Sequence, residues 1–456
     1  MEDGGLGPAN GLEDAIRVAG VLTEMGVPGW LWLCVLLVPG AVCGIAGSSC
    51  RLMETLVSQT VYKEGDVIIG GVFPIHLKPP EPNLDFTQRS APSGCQRFIL
   101  THYRWLQTMI FAVEEINRNP LLLPNLTLGY AIADTCVTDR TTLGAALGLV
   151  TGKDRVVMSS SCGHTPEVPV IVGDARSSGS IVIARTLGVF SIPMVSYSST
   201  CACLGDRQKY PTFFRTVSSD AFQARAMAHM LRLFGWTWVG VIAGDNDYGK
   251  SGIQLLLKEL QNSEVCVAFS EIIPTVNLET RIPRIVETLR HSTAKVIVTF
   301  ADASDMEALL MEVVRQNITN KQWIATEGWI ISSPLSSPQY LPSLKGTIGF
   351  AQRRGNIQGD GPLEKGGCPD VTNLQPWQIL HYLRTVNFTT PVGEATHYNE
   401  NGEPPAAYDL INWHVGAQGT VEFVKVGQFD TVDGSHSEFD MDVKKVLWGG
   451  GESEVK

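Results

Sequence analysis

Six polar residues have types and spacing that could do chemistry together. They are Ser177 in DARSSGS, Ser198 and Thr200 in SYSSTC, Asp220 in TVSSD, Tyr248 in DNDYG and Glu327 in ATEGW. They offer aliphatic hydroxyls, two carboxylates and one aromatic face. That set suits a small zwitterion better than a metal, a phosphate or a nucleic acid. Each residue also has a plainer reading. Ser177, Ser178 and Ser180 precede a helical pattern, so they could cap it or offer hydroxyls and amides to a carboxylate at the positive helix end. Asp220 is equally a helix cap, and Tyr248 equally a packing residue. Glu327 ends an apolar run between Trp323 and Trp329 and has no evident structural duty.

These residues need a scaffold that brings distant loops together. Apolar runs alternate with helical patterns along the chain. Residues 66–74, 168–173, 192–197, 237–243, 265–272, 295–300 and 323–326 read as strands. Residues 104–117, 180–189, 220–233, the stretch through Leu260, 282–289 and 305–315 read as helices. Continuous apolar strands separated by helices predict parallel sheets covered on both faces. In such sheets ligands bind at the carboxyl ends of the strands, where all six residues fall. The end of the chain differs: Ala407–Val415 and Thr420–Val426 predict a hairpin through Gly416–Gly419. Residues 353–370 are rich in Gly and charge and read as loop.

Other chemistries are poorly served. Asp245, Asp247 and Gly249 open like a calcium loop, but the twelfth position is Leu256, where a bidentate glutamate belongs. Cys162-Gly-His164 places a thiol and an imidazole too near in sequence for a nucleophile–base pair. No glycine-rich phosphate loop is present. A net charge of −11 without a Lys/Arg cluster argues against nucleic acid. No enzyme is expected, because nothing pairs a nucleophile with a base.

The apolar stretch Trp30–Ala46 is short, broken by Pro39 and Gly40, and ends in small residues. It predicts a cleaved secretory signal, with Met25 an alternative start, since a spanning helix wants roughly 20 apolar residues. In that compartment long-range disulfides are the default for the widely spaced cysteines. Cys201-Ala-Cys203 is too close for easy mutual bridging. The sequons at Asn125, Asn317 and Asn387 fit the same compartment.

The stretches RWLQTMIFAVEEIN, LLPNLTLGY, SYSST, FFRTVSSD, WTWVGVIAGDNDYG, QNITNKQWIATEGW, YDLINWHVG and KVLWGG resemble the ligand-binding domain of class C G-protein-coupled receptors, of the calcium-sensing, type 2 vomeronasal and fish olfactory kinds. The resemblance runs from about Cys50 to Lys456 with one break. It implies an α/β, bilobed, periplasmic-binding-protein-like fold (a Venus flytrap): two parallel-sheet lobes joined by a hinge. The expected division is a signal region at 1–49, the first lobe at 50–217, the second at 218–348, a shortened return to the first lobe at 349–400, and completion of the second at 401–456.

By resemblance, Ser177 and Thr200 hold an α-carboxylate and α-amino group, and a main-chain group at Ser198 assists. Asp220, Tyr248 and Glu327 contact the amine and cover the ligand, so binding and lobe closure are one event. Arg176 is expected either to favour an acidic ligand or to point to solvent. Cys95 and Cys136 match a first-lobe disulfide, Cys162 falls where an intersubunit bridge occurs, and Cys266 matches a cysteine that pairs with a downstream cysteine-rich module. The implied ligand is an L-amino acid, with Ca2+ open as ligand or modulator and no other cofactor. The implied partner is a second class C receptor chain, and a G protein is reached only through membrane helices that this chain does not contain. Location is the secretory pathway and the extracellular side of the plasma membrane.

The chain departs from the family in two places. It stops near Trp448, and between Gly359 and Cys368 it lacks residues of the first lobe. The resemblance therefore leaves two readings: the sensor of a chemosensory receptor, or a soluble secreted binding protein of the same fold. A membrane-fraction blot separates them.

Overall fold

The computed structural model describes residues 60–77, 95–151, 168–353, 375–389, 395–416, 419–433 and 436–449. The expectations for the signal at 1–49, for Cys162 and for the shortened stretch from Gly359 to Cys368 lie outside the described residues.

The first part of the chain forms β1 (Thr60–Lys63), β2 (Val67–Phe73), β3 (His76–Leu77), β4 (Gln96–Phe98), α1 (Leu100–Arg118), β5 (Leu128–Asp134), α2 (Asp139–Thr151), β6 (Ile171–Val172), α3 (Ser177–Gly188), β7 (Met194–Ser196) and β8 (Phe213–Arg215). Helix α1 buries Leu106, Met109 and Val113, an i, i+3, i+7 stripe. The sheet runs β1-β5-β2-β6-β7-β8. All neighbours are parallel except β1, which lies antiparallel on β5.

The second part begins with α4 (Asp220–Leu233), then β9 (Trp238–Gly244), α5 (Asp247–Glu259), β10 (Cys266–Ile273), α6 (Leu278–His291), β11 (Val296–Phe300), α7 (Ala303–Arg315), β12 (Gln322–Ala325), α8 (Leu341–Leu344) and β13 (Ile348–Gln352). After these come α9 (Pro376–Thr385), β14 (Asn387–Thr389), β15 (Ala395–His397), β16 (Ala407–Val415), β17 (Val421–Asp433) and β18 (His436–Met441). The second sheet runs β10-β9-β11-β12-β13-β16-β17-β18. Strand β11 shows why these runs are apolar throughout. Val296, Val298 and Phe300 enter one core while Ile297 enters the other, so both faces of the sheet are covered. Each such buried side chain contributes about 1.5–3 kcal/mol.

The sheets are mostly parallel, as expected, and β16, β17 and β18 return antiparallel beyond β13. The predicted hairpin is the start of this addition. Residues 349–352 belong to β13 inside the second sheet, not to a return to the first lobe. The contacts of the return begin later: Arg384 donates to the Pro211 carbonyl at 3.4 Å, and Tyr398 packs on Phe214 with centroids 5.3 Å apart. Two chain segments pass between the sheets side by side, where Ser218 Oγ donates to the Pro405 carbonyl at 3.3 Å.

Candidate functional site

The residues singled out from sequence sit just past strand carboxyl ends, as the topology requires. Ser177 opens α3 after β6, Ser198 and Thr200 follow β7, Asp220 opens α4 after β8, Tyr248 lies in the first turn of α5 after β9, and Glu327 follows β12. The two groups meet: Thr200 Oγ1 donates to Glu327 Oε1 at 3.1 Å across 127 positions of sequence. The Asp220 amide donates to the Thr200 carbonyl at 2.8 Å. Ser177 Oγ accepts from the Cys201 amide at 3.2 Å, so it holds the turn that carries Thr200. Ser198 is held by its backbone, its amide donating to Ser196 Oγ at 3.4 Å.

Capping, the plain alternative for several of these residues, is done by their neighbours. Ser219, not Asp220, caps α4 through its hydroxyl. Asn246 caps α5, taking the Gly249 amide at 2.8 Å. Arg176 stands at the N-cap of α3 with no side-chain cap bond, and Ser177 lies inside the helix. Asp220 is therefore a wholly buried carboxylate without a capping duty. Neither of its oxygens makes a well-formed hydrogen bond, nor does Glu327 Oε2 or the Tyr248 hydroxyl. Thr200 lies near enough to favour the charged form of Asp220, and Gln223, Tyr248 and Thr200 do the same for Glu327. Burial nevertheless dominates. It pushes Asp220 well above the ordinary carboxylate range, with the neighbouring Glu327 charge adding to the rise, and it raises Glu327 as well. Tyr248 is held protonated by burial and by the same two acids. Two acids thus share a buried site in which, among the described residues, no cation forms an ion pair with either; the buried Arg215 is near enough only to favour the charged form of Asp220 against that rise.

Trp323 and Trp329 belong to the second-lobe core, their indole N–H groups spent on the Ser343 carbonyl and Thr299 Oγ1. Arg176 does not point to solvent, one of its two expected forms. Its guanidinium pairs with Asp302 at 2.9 Å, at the start of α7, and so ties the two lobes together. Ser178 Oγ adds a second tie, donating to Asp247 Oδ2 at 2.6 Å. Ser180 is structural: it is buried and bonded to Ser199 Oγ at 2.7 Å.

Sequence reasoning missed Arg215. Its guanidinium is fully buried and donates to the Ser199 and Cys201 carbonyls at 3.1 and 2.8 Å, bracketing Thr200, while Glu403 takes its other end. An arginine at the end of an apolar strand, in FFRTVSSD, was the available signal.

The structure joins Cys95 to Cys136, with Cα atoms 5.6 Å apart. It also joins Cys201 to Cys203, against the expectation that the two stand too close to bridge. A turn of 3-10 helix at Ala202–Gly205 curls the chain so that they meet. Among the described residues Cys266 is the free cysteine, and it is exposed.

The profile of the "Receptor family ligand binding region" matches residues 104–360. The chain belongs to this receptor ligand-binding family. It is 32% identical to the extracellular calcium-sensing receptor of Homo sapiens over 87% of this chain and 48% of that protein. It is 35% identical to G-protein coupled receptor family C group 6 member A of Carassius auratus over 66% of this chain and 36% of that protein. It is 31% identical to taste receptor type 1 member 3 of Rattus norvegicus over 65% and 35%. The chain thus spans about half the length of the calcium-sensing relative, and less of the other two. These relatives are receptors rather than enzymes, as the absence of a nucleophile–base pair in the sequence led us to expect. The calcium-sensing match extends over 514 positions, more than the residues this chain contributes to it, so it passes over stretches that this chain lacks. No helix among the described residues is long and apolar enough to cross a membrane.

Proposed function

We propose that this chain is the extracellular ligand-binding portion of a class C G-protein-coupled chemosensory receptor, and that it holds the backbone of an L-amino acid between its two lobes. The observation that carries this reading is the acid pair. Asp220 and Glu327 present buried acceptor oxygens without good partners, and a buried acceptor of that kind calls for a donor. A ligand ammonium supplies three donors and the missing positive charge. Ser177, Thr200 and the Ser198 turn stand across from it to take the ligand carboxylate near the start of α3. Tyr248 closes the site from the second lobe. The acids on that side reach the ligand only when the lobes meet, so the closed form gains contacts that the open form lacks. That difference is what shifts the equilibrium.

Calcium suits these acids less well, because it asks for 6–8 oxygen ligands. Among the described residues the cluster with metal-holding geometry is Cys95, Asp134 and Cys136. Its two thiols are joined to each other, and its carboxylate accepts from the Ile75 and Cys136 amides. A modulating role for Ca2+ elsewhere belongs to the same proposal. So do passage through the secretory pathway, glycans on Asn125, Asn317 and Asn387 (all three exposed), and pairing with a second receptor chain through Cys162.

Calorimetry against the twenty amino acids, with and without calcium, is the test. At least one amino acid should release saturable heat, and Thr200→Ala and Glu327→Ala should each abolish it. Parent-like titrations from both variants would overturn the site.

A further inference from the structure

A cavity lies on the first lobe, away from the acid pair. It encloses about 450 Å3 and is lined by Arg207, Phe214, Arg384, Tyr398, Asn399 and Glu400, with Pro211 at its edge. That volume falls within the range of roughly 300–1,000 Å3 typical of small-molecule sites. It sits beside the loop that enters β8 from its amino end, whereas Thr200 and Asp220 lie past strand carboxyl ends.

Its chemistry is the reverse of the acid pair. Arg207 and Arg384 both line it, and no carboxylate among the described residues forms an ion pair with either. Arg207 is fixed rather than mobile. Its Nε donates to the Glu400 carbonyl at 3.0 Å, its Nη1 donates to the Tyr210 and Phe213 carbonyls, and its guanidinium lies 4.8 Å from the Phe214 ring centre. Its Nη2 donates to no described group. Arg384 spends one donor on the Pro211 carbonyl at 3.4 Å, a long contact. Burial, and then the nearby Arg384 charge, pull Arg207 down to about 10, a setting that favours an anion beside it. The Glu400 side chain is exposed at the rim, and the Glu403 charge opposes the lowering of Arg207. The remaining wall is aromatic, with Tyr398 tilted on Phe214.

We infer that this cavity is a binding site for an aromatic carboxylate, whose carboxyl group lies between Arg207 and Arg384 and whose ring lies along Tyr398 and Phe214. Guanidinium groups match a carboxylate with paired N–H donors, and the rings supply flat apolar area. The site also has a route to the first one. Arg207 grips the backbone at Phe213 and Glu400. Two residues on, Arg215 takes Glu403 and holds the two carbonyls that bracket Thr200. The loop from Glu400 to Glu403 and strand β8 are common to both grips.

The experiment is ligand-observed saturation-transfer NMR and calorimetry of the full chain with benzoate, run beside sulfate and benzylamine. Benzoate should bind saturably in the millimolar range or tighter, and benzylamine should not bind. Arg384→Gln, an exposed change that leaves the fold intact, should weaken benzoate at least about tenfold. Glu327→Ala should leave benzoate binding in place, which separates this cavity from the amino-acid site. Absence of saturable benzoate binding, parent-like affinity in Arg384→Gln, loss of binding in Glu327→Ala, or sulfate binding as tightly as benzoate would each overturn the proposal.

Discussion

Two pairs of acids lie where the lobes meet, and they are built differently. Asp302 and Asp305 face a guanidinium from the opposite lobe, since Arg176 closes on Asp302 at 2.9 Å. Asn246 donates to Asp305 at 3.2 Å and lies 3.4 Å from Asp302. Among the described residues Asp220 and Glu327 form no ion pair with a cation, Arg215 acting on Asp220 only from a distance, and they receive one good hydrogen bond, from Thr200. The first pair is finished by the protein itself and acts as a clasp between lobes. In the function we propose, the second is finished by a ligand that brings positive charge. Acid content alone does not mark a ligand site; the supply of partners does.

The sharpest way to break this contrast is to neutralise one acid of each pair. Asp220→Asn should weaken amino-acid binding by about a hundredfold or more, because a buried charge–charge contact is lost, worth about 3–5 kcal/mol when one partner is removed. The same change should stabilise the unliganded protein at neutral pH, since folding no longer has to desolvate or protonate a carboxylate there. Asp302→Asn should do the opposite, lowering stability while leaving the Asp220–Glu327 pair intact. Calorimetry and thermal unfolding of both variants read the two effects. If Asp220→Asn binds like the parent, or if both variants shift stability in the same direction, the distinction between site and clasp fails.

A smaller effect is expected from Arg176→Ala, which removes the clasp from the other side. Charge-assisted contacts contribute about 1.5–3 kcal/mol, and both partners here are partly exposed, so the low end applies. In a double-mutant cycle with Asp302→Ala, unfolding free energies should show a coupling of about 1 kcal/mol. Additive losses would mean that the contact does not join the lobes.

The sequence shows one half of this picture. The strands β9 to β12 are legible because their apolar runs are uninterrupted, and the helices because their buried positions recur every three to four residues. The types of Asp220 and Glu327 are legible too, as acids at strand ends. Their state is not. Whether Asp220 caps a helix depends on Ser219 taking that duty first, and this is a matter of backbone angles at one turn. Arg176 was misread because its partner lies in the other lobe. The strand Leu128–Asp134, LGYAIAD, was passed over because its glycine and aspartate dilute the pattern, although it lies between β1 and β2 in the first sheet. Strand β13 was assigned to the wrong lobe because its partner, β16, comes more than fifty residues later, beyond the loop-like stretch.

The smallest predicted effect concerns pH. Burial, with the Asp302 charge second, raises Asp305 to about 7 from an unfolded value of 3.8. A group whose pKa is raised in the fold contributes stability that is full below the unfolded value and is lost as pH rises through the folded one. Asp174, pushed to about 6 chiefly by burial, acts in the same sense. His102 and His229 act in the opposite sense, because burial lowers them. The informative quantity is therefore the difference between the parent and Asp305→Asn. The advantage of the parent should be greatest near pH 4, shrink up to about pH 7, and flatten above it. The acids lowered by hydrogen bonds from neighbouring arginines, Glu287 and Glu312 among them, are common to both proteins and cancel in the comparison. A difference that stays constant from pH 4 to 8 would mean that Asp305 is ionised throughout. The clasp would then hold two charges on Arg176, and the contrast with the Asp220–Glu327 pair would rest on geometry alone.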